Sequence, residues 1–533
     1  GAAGAAGAAA LAGQGMSSAA ARQASPVAEG DVIRSGVEGV PDAYFQQPEP
    51  FQSYDGVPGN GGTVRVFTIA YNPPPPGRDD NQYWQELERR LGVTWEPQIT
   101  PQPNYGEISA VLIAGGDLPD LFYLNPGQSA QQQYQAMAQG AFLDLTPYVT
   151  GDALAAYGNL STIPQFMWDN VKFQGKIFGV PKPLWRNGNL PFYRGDWAST
   201  LGMTSLEDPE QVRQLLLGFT NNDPDGNGQA DTWGMGRFSS GWNSWDNILA
   251  IYMFGVPKDW QLNADGTLTH AIETEGYRQA LDFLRQLYAD GGYHPDAAAM
   301  TFSDAQGGYI AGETGVHFEG FLSFYGIGNV TYRGQEINPA FLSTPLIPRG
   351  PGGVPGVTHN ETGFFGFTGI PSSITDEDRI QELLRILDYL AAPFGSEESI
   401  FLGSGIEGVH HDINEAGARI INDLGRTERG DLVYVMGGLP VYYYPDNPPI
   451  AEEIQRVAIA AVAIGVDNPA QVLYSETNVE MGPQLVQLGG DRTLAIVTGR
   501  EPLEALDDAI QEWRDRGGDQ IREDFQQALQ EQG

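Results

Sequence analysis

The segment TVRVFTIAYN at residues 63–72 begins the pattern that decides the fold class. Its β-branched and aromatic residues predict a buried strand, and the prolines at 73–76 end that strand. Trp84, Leu87 and Leu91 then recur at helical spacing, and further predicted strands alternate with a second helix. This β-α-β-α-β order predicts an α/β protein with a parallel or mixed sheet covered by helices.

The composition indicates an exported protein. The chain has 533 residues, enough for two or three domains, and carries 67 acidic against 29 basic residues, a net charge of -38. Such a charge repels nucleic acid and anionic membranes, so we expect neither as a partner. Cysteine is absent, which excludes disulfides and thiolate catalysis.

The first residues have the character of an export signal rather than of a folded domain. Residues 1–13, GAAGAAGAAALAG, resemble the end of such a signal, and LAGQ at 11–14 resembles a lipobox with Gln14 in place of the lipidated cysteine. Residues 14–60 are rich in small and polar residues and predict a tether or a segment laid over the surface. We therefore assign residues 1–60 to a signal remnant and flexible tether. The expected location is extracellular, either tethered to the outer face of the membrane or periplasmic.

The stretch DPDGNGQAD at 223–231 has the ligand spacing of an EF-hand-type calcium loop. Gly228 stands where the backbone must turn sharply, whereas Gly234 replaces the usual bidentate glutamate. The predicted oxygen ligands are Asp223, Asp225, Asn227, Asp231 and the carbonyl of Gln229. Oxygen ligands alone favour Ca²⁺ over Mg²⁺ or Zn²⁺, in a structural role. The alternative is an ordinary Asx/Gly turn.

Several motifs occur in an order known from one protein family. They are AGGDLPDL at 114–121, GAFLDLTPY at 140–148, GKIFGVP at 175–181 and RGDW at 194–197, followed by the calcium-like loop. Together they resemble the extracellular solute-binding proteins of bacterial ABC importers. The resemblance is to the large sugar-binding group, in the LipO-like and alginate-oligosaccharide-binding branch.

The resemblance implies a two-lobed, periplasmic-binding-protein-like fold of type II, with mixed sheets covered by helices and a ligand cleft between the lobes. Lobe 1 is expected to span residues 60–183 plus 364–405, and lobe 2 residues 184–363 plus 406–533. The implied partners are a carbohydrate ligand and the membrane subunits of an ABC importer. We expect the protein itself to be a monomer.

A sugar site requires aromatic faces for the apolar side of the ring and polar groups for its hydroxyls. Strand ends, turns and the first crossing between lobes supply both. The predicted ligand-contacting residues are Tyr71, Asn72, Asn125, Gln128, Trp185, Arg186, Trp242, Trp245, Asp246, Glu319, Phe321, Glu361 and Tyr443. The overall charge disfavours anionic sugars, although Arg186 and Lys182 near the cleft could override it locally.

Two other functions use similar residue types. A secreted, calcium-stabilised glycoside hydrolase would need a pair of carboxylates, and no spacing singles one out; H-E-x-x-H and G-x-S-x-G motifs are also absent. A carbohydrate-binding surface protein would be expected to show tandem repeats, which the sequence lacks. We therefore predict a protein without enzymatic activity that captures an oligosaccharide for an ABC importer.

Overall fold

The structure is a computed structural model that describes residues 31–186, 188–238, 248–320, 324, 330–415, 417–444 and 448–532. For residues 127–131, 332 and 532 the description is limited to the backbone. None of the helices in these ranges has the length and apolar character needed to cross a membrane.

The strands are short except where they build the first large sheet. In chain order the strands of the described residues are β1 (Val32–Ile33), β2 (Ala43–Tyr44), β3 (Thr63–Ala70), β4 (Thr94–Pro101), β5 (Leu121–Leu124), β6 (Lys172–Phe173), β7 (Lys176–Ile177), β8 (Val180–Pro183), β9 (Leu190–Arg194), β10 (Trp233–Met235), β11 (Trp260–Leu262), β12 (Leu268–His270), β13 (Thr314–Glu319), β14 (Ser343–Pro345), β15 (Thr358–His359), β16 (Phe364–Gly369), β17 (His411–Ile413), β18 (Arg419–Ile421), β19 (Tyr442–Tyr443) and β20 (Gly465–Val466).

Helices fill most of the intervals between these strands. In the same ranges they are α1 (Gln82–Leu91), α2 (Gln102–Gly115), α3 (Pro126–Ala138), α4 (Gly151–Leu154), α5 (Gln165–Asn170), α6 (Gly195–Thr200), α7 (Pro209–Asn221), α8 (Ile248–Met253), α9 (Glu275–Ala289), α10 (Phe302–Ala311), α11 (Val330–Ile337), α12 (Glu377–Leu390), α13 (Glu397–Ser404), α14 (Asp423–Arg429), α15 (Pro448–Ala463), α16 (Glu476–Val497), α17 (Ala505–Trp513) and α18 (Asp519–Gln532).

Helix α1 shows how the local sequence sets these elements. The Asn81 side chain caps its first turn by accepting from the N–H of Trp84, and Gly92 ends it in the left-handed conformation. Leu87 and Leu91 are fully buried and Trp84 partly so, as the helical spacing predicts. The sequence pattern therefore fixes both the ends and the buried face of this helix.

The first large sheet has the strand order β4-β3-β5-β16-β8. β3 runs parallel to β4 and β5, whereas β16 is antiparallel to both β5 and β8. The predicted alternation of strands and helices is thus confirmed for its first three strands. The last two strands join the sheet from distant parts of the chain.

The second large sheet has the order β10-β13-β9-β14. β10 and β13 are parallel, and β9 lies antiparallel to β13 and β14. A separate hydrophobic core surrounds each large sheet. The N-terminal segment passes between the two cores within residues 43–64, and the chain then makes a first crossing at 180–185, a second at 346–364 and a last at 436–442.

Residues 31–60 pack against both cores. Gln455 of α15 donates to the carbonyl of Ile33 beside the second core, and β2 pairs with β19. Farther on, the buried carboxylate of Glu398 accepts from the N–H groups of Ser53 and Tyr54 beside the first core. The sequence predicts either a tether or a segment laid over the surface for residues 14–60. Residues 31–60 pack as a segment laid over the surface, and residues 1–30 lie outside the described ranges.

Residues 406–436 pack with the first core. His410 and Glu428 form a buried pair, with 3.0 Å between Nε2 and Oε2. Glu428 also accepts from the N–H of Tyr83 in α1, and its own carbonyl accepts from the Asn81 amide. These long-range contacts tie residues 406–436 to the first core, although the predicted lobe boundary lies at residue 405.

Asp388 in α12 allows a test of how this core responds to pH. Its buried carboxylate accepts from the N–H groups of Asn159 and Leu160. Burial nevertheless raises its pKa to about 6, outweighing the lowering effect of those hydrogen bonds. The folded state therefore holds this proton more tightly than the unfolded state, and stability from this group is lost as pH rises from about 4 to about 6.

Asp388→Asn cannot ionise, so its free energy of unfolding should rise relative to wild type by about 2 kcal/mol across that window. Urea unfolding at several pH values measures this difference. The control is Asp412→Asn at an exposed position, for which the difference should stay flat. A flat difference for Asp388→Asn would contradict the prediction.

Candidate functional site

One edge of the first sheet brings distant residues together. β3 and β5 are parallel and both end there, so Tyr71 and Asn125 follow them side by side. β16 runs the other way and begins at the same edge with Phe364 and Phe365, and its residue Gly366 pairs with Lys182 of β8. The chain leaves β8 from this edge to reach the second sheet.

Three aromatic rings at this edge form what we call the aromatic wall: Tyr71, Phe365 and Tyr434. The Tyr71 ring lies 6.0 Å from Phe365 and 5.5 Å from Tyr434, centroid to centroid. Tyr123 of β5 meets Tyr434 edge-on at 5.7 Å. Tyr71 remains 47% exposed although it belongs to this cluster, so part of an aromatic face is open to a ligand.

Asp431 fixes the backbone of the wall. Its carboxylate accepts from the N–H of Tyr71 and of Asn72, each at 2.9 Å, and from the Asn72 amide at 3.2 Å. Burial raises the pKa of Tyr71 to about 12 despite a hydrogen bond with Asn125 that lowers it. The Tyr71 hydroxyl therefore stays protonated at neutral pH and can donate as well as accept a hydrogen bond.

Lys182 contacts the wall through Tyr434. Its Nζ donates to the Tyr434 carbonyl at 2.9 Å and sits 3.1 Å from the centroid of the Tyr434 ring. No carboxylate forms an ion pair with Nζ among the residues that the structure describes. Burial lowers its pKa to about 7, and Asp431 opposes that shift.

Arg186 binds protein groups at the first crossing. Its Nη2 donates to both carboxylate oxygens of Asp467 at 2.9 Å, and Glu38 lies 3.6 Å from its Nη1. Its backbone N–H donates to the Gly39 carbonyl. These contacts join the crossing to the N-terminal segment and to the second core. They also pair the Arg186 guanidinium, which the sequence suggested for an anionic ligand, with protein carboxylates.

Two predicted carboxylates also have protein partners. Glu361 pairs with Lys258, with 2.9 Å between Oε2 and Nζ. Glu319 ends β13 opposite Leu190, where the second sheet meets the first crossing, and accepts from the Gln306 amide at 2.8 Å. Glu319 thus lies at the end of the second sheet where the chain arrives from the first crossing.

Trp185 and Tyr443 pack against neighbouring aromatic rings. Trp185 is only 5% exposed and lies 5.5 Å from the ring of Tyr442. Tyr443 pairs with Tyr44 in the small sheet of β2 and β19 and packs 5.1 Å from Phe394. Both residues therefore join the crossing segments to one another.

The structure brings Tyr71, Asn72 and Asn125 together at one edge, and their role in binding stays a prediction. Sequence reasoning missed Phe365, Tyr434 and Asp431, which reach this edge from strands and loops far along the chain. The remaining predictions fall outside the described side chains: Gln128, Trp242, Trp245, Asp246 and Phe321.

The predicted calcium loop gathers its carboxylates around one amide. The Asn227 Nδ2 donates to Asp225 at 2.8 Å and to both oxygens of Asp231 at 3.2 Å. Asp223 accepts from the N–H groups of Asn227 and Gly228, each at 3.0 Å. Gly228 has a φ of 78°, the left-handed turn that its loop position requires.

These donors fit a hard cation, although their present geometry is that of a hydrogen-bonded turn. Burial, a hydrogen bond with Asp223 and the charge of Asp231 all raise the pKa of Asp225. Three carboxylates are thus crowded together, and the hydrogen-bond donors described for them within the loop are neutral N–H groups of Asn227 and Gly228. Within the described ranges, no group of three or more acidic or histidine residues is arranged as metal ligands. The Gln229 N–H donates to Asn227 Oδ1, so this amide oxygen is turned toward the backbone.

Comparison with known proteins gives relatives over most of the chain. No protein family model matches. The lipoprotein LipO of Bacillus subtilis is 25% identical over 492 residues, covering 89% of this chain and 93% of the relative. The polygalacturonan/rhamnogalacturonan-binding protein YtcQ of the same organism is 22% identical and covers 90% of this chain and 94% of its own. The fructooligosaccharide ABC transporter substrate-binding protein FusA of Streptococcus pneumoniae is 25% identical over 43% of this chain and 44% of its own.

Solved structures share the fold. A solute-binding protein of Bifidobacterium longum infantis associated with an HMO-binding ABC transporter has a TM-score of 0.68 at 16% identity, covering 89% of this chain and 99% of its own. FusA in complex with kestose has a TM-score of 0.65 at 17% identity, covering 88% and 99%. The predicted two-lobed α/β fold is therefore confirmed.

These relatives are substrate-binding proteins rather than enzymes, in agreement with the prediction. Two further similar structures are an EF-hand mutant of FusA in complex with fructo-nystose and the alginate-binding protein AlgQ2 without calcium ion. Two of the curated relatives extend over about nine tenths of this chain. The relatives and similar structures are sugar-binding proteins of bacterial ABC transporters, the same class of protein that the sequence motifs of this chain indicate.

Proposed function

We propose that this protein captures an oligosaccharide between its two lobes and delivers it to the membrane subunits of an ABC importer. The observation that carries the proposal is the aromatic wall at the edge where β3 and β5 end. Its half-exposed Tyr71 offers a stacking face, and Asn72 and Asn125 bring amide groups beside it. Stacking combined with amide hydrogen bonds is what a sugar ring requires.

The relatives support the class of ligand without fixing the sugar. One binds fructooligosaccharide and another polygalacturonan or rhamnogalacturonan, so both neutral and acidic chains occur among them. We infer an exported protein that acts at the outer face of the cell as a monomer.

We propose that the lobes follow the two hydrophobic cores. Lobe 1 then comprises residues 63–183 and 364–436, and lobe 2 comprises 184–363 and 442–532. The last crossing lies at 436–442 instead of 405, because His410, Glu428 and the residues after them pack on α1. Closure would bring the Leu190 and Glu319 end of the second sheet toward the aromatic wall.

We also propose that the loop at 223–231 binds Ca²⁺ in a structural role. Asp223, Asp225 and Asp231 supply carboxylates, and Asn227 and the Gln229 carbonyl supply neutral oxygens. Burial is the main cause of the raised pKa of Asp225, and a bound cation would offset both that cost and the repulsion from Asp231 and Asp223. The loop follows α7 and leads into β10, so it would stiffen that connection within lobe 2.

Removal of the Tyr71 ring tests the binding site. Tyr71→Ala should weaken oligosaccharide binding by about 1–3 kcal/mol through loss of a stacking face, with little change in the melting temperature of the free protein. Titration calorimetry measures the affinity for sugars found by a thermal-shift screen, and the thermal-shift measurement without sugar gives the melting temperature of the free protein. The control is Tyr148→Ala, because the Tyr148 hydroxyl bonds Glu377 of α12 rather than a crossing segment. Equal affinity of wild type and Tyr71→Ala would remove the wall from the site, and release of hydrolysis products would reverse the assignment as a binding protein.

Calcium removal tests the loop. Chelation should lower the melting temperature, and excess Ca²⁺ should restore it, since a ligand at a hundredfold excess over Kd stabilises by about 2.7 kcal/mol. Asp225→Ala should abolish that response and leave sugar affinity intact. Asp265→Ala is the matched control, because Asp265 also accepts hydrogen bonds within an exposed turn. If chelation leaves the melting temperature unchanged and elemental analysis finds no calcium, the loop is an ordinary turn.

A further inference from the structure

Lys182 differs from the other cations near the crossings. Arg186 is neutralised by Asp467 and Glu38, and Lys258 by Glu361. Lys182 has a carbonyl and an aromatic ring as its partners, and no ion pair among the described residues. An ammonium group carries three N–H donors, and the Tyr434 carbonyl takes one of them.

The surroundings of Lys182 stabilise its charge only in part. Asp431, the acid that acts on it, already accepts from the N–H groups of Tyr71 and Asn72 and from the Asn72 amide. The ring of Tyr434 offers a cation–π contact to the Lys182 Nζ, and the ring centroid of Tyr123 in β5 lies 5.9 Å from the same atom. A side chain needed only for packing here would not carry a charge that burial opposes.

We propose that Lys182 makes this cleft selective for acidic oligosaccharides. Its ammonium would be the counter-charge for the carboxylate of a hexuronate whose ring stacks against the aromatic wall. The inference rests on the proposed function and specifies its ligand. The net charge of -38 does not prevent it, because that charge is spread over the surface and screened beyond about 8 Å at physiological salt. The Lys182 ammonium is therefore the positive charge that a docked carboxylate meets at the wall, while the nearby Asp431 carboxylate is already held by N–H donors of Tyr71 and Asn72.

The pH dependence follows from the groups around Lys182. Asp431 and Tyr434 face it from the segment after α14, and Tyr123 from β5, with Tyr71 beyond them. Burial raises the pKa values of these three tyrosines, so they stay neutral near pH 7. The pKa of Lys182 itself is lowered to about 7 by burial, so binding of a carboxylate near that pH must draw a proton onto the amine.

The experiment compares trigalacturonate and trimannuronate with their carboxyl-reduced, neutral counterparts by titration calorimetry at pH 6 and pH 8. At constant ionic strength, wild type should bind at least one acidic probe at least tenfold more tightly than its reduced form at pH 6. That affinity should fall about tenfold by pH 8, as the amine loses its proton. Buffers of different ionisation enthalpy should reveal uptake of about half a proton at pH 7.

Three variants separate charge from packing. Lys182→Met keeps the aliphatic stem and should lose the preference for the acidic probe while still binding the reduced one. Lys182→Arg keeps its charge at every pH used, so it should keep the preference without the pH dependence. Lys176→Met is the control for net charge, because Lys176 is exposed and pairs with Asp144. It should behave as wild type.

Two results would overturn the inference. A preference that survives in Lys182→Met would place the selectivity elsewhere. Binding of kestose or another neutral oligosaccharide without binding of either acidic probe would refute acidic selectivity while leaving the proposed function intact. Absence of binding to every carbohydrate tested would refute both.

Discussion

The antiparallel pairing of β8 with β16 is the constraint on which the rest of the structure depends. Both strands belong to the first sheet, and both continue into segments that cross to the second core. The register Gly366↔Lys182 makes these two crossings leave side by side, from the edge where β3 and β5 end. Hinges between lobes consist of a few residues at element ends, and this pairing places such residues at the site itself.

A second constraint comes from the composition. Because basic residues are few, buried carboxylates in this chain often accept hydrogen bonds from backbone N–H groups of loops. Such bonds stabilise the buried charge and also satisfy the N–H groups of the loop. The carboxylates with this role, each with one of its donors, are Glu88 with Trp95, Asp388 with Leu160, Glu398 with Ser53, Glu428 with Tyr83 and Asp431 with Tyr71. Removing such a carboxylate would leave buried N–H groups unsatisfied, so these positions fix the course of the loops around the first core.

Features that depend on residues close in sequence could be predicted from the sequence, whereas contacts between distant residues could not. The strand at 121–124 and helix α1 depend on neighbouring residues, and the pattern identified both. The partners of Tyr71 could not be found in this way, because Asp431 lies 360 positions away. For the same reason Trp185 and Arg186 were predicted as ligand contacts, whereas Tyr442 and Asp467 occupy them. A large or charged side chain at a crossing suits a ligand and a distant protein partner equally well, and local pattern does not separate the two.

The aromatic wall also relates binding to motion. Lys182 lies at the end of the first crossing strand, Phe365 follows the second crossing, and Tyr434 stands two residues before the crossing at 436–442. A ligand on the wall alone would nevertheless have equal affinity for open and closed forms and would shift no equilibrium. Closure requires contacts that exist only when the lobes meet. Under the proposed function those contacts would come from the second sheet, at the end where Leu190 pairs with Glu319 and where the chain enters from the first crossing. In the proposed arrangement the first lobe would supply the stacking surface, and the second lobe would determine whether a bound sugar closes the protein.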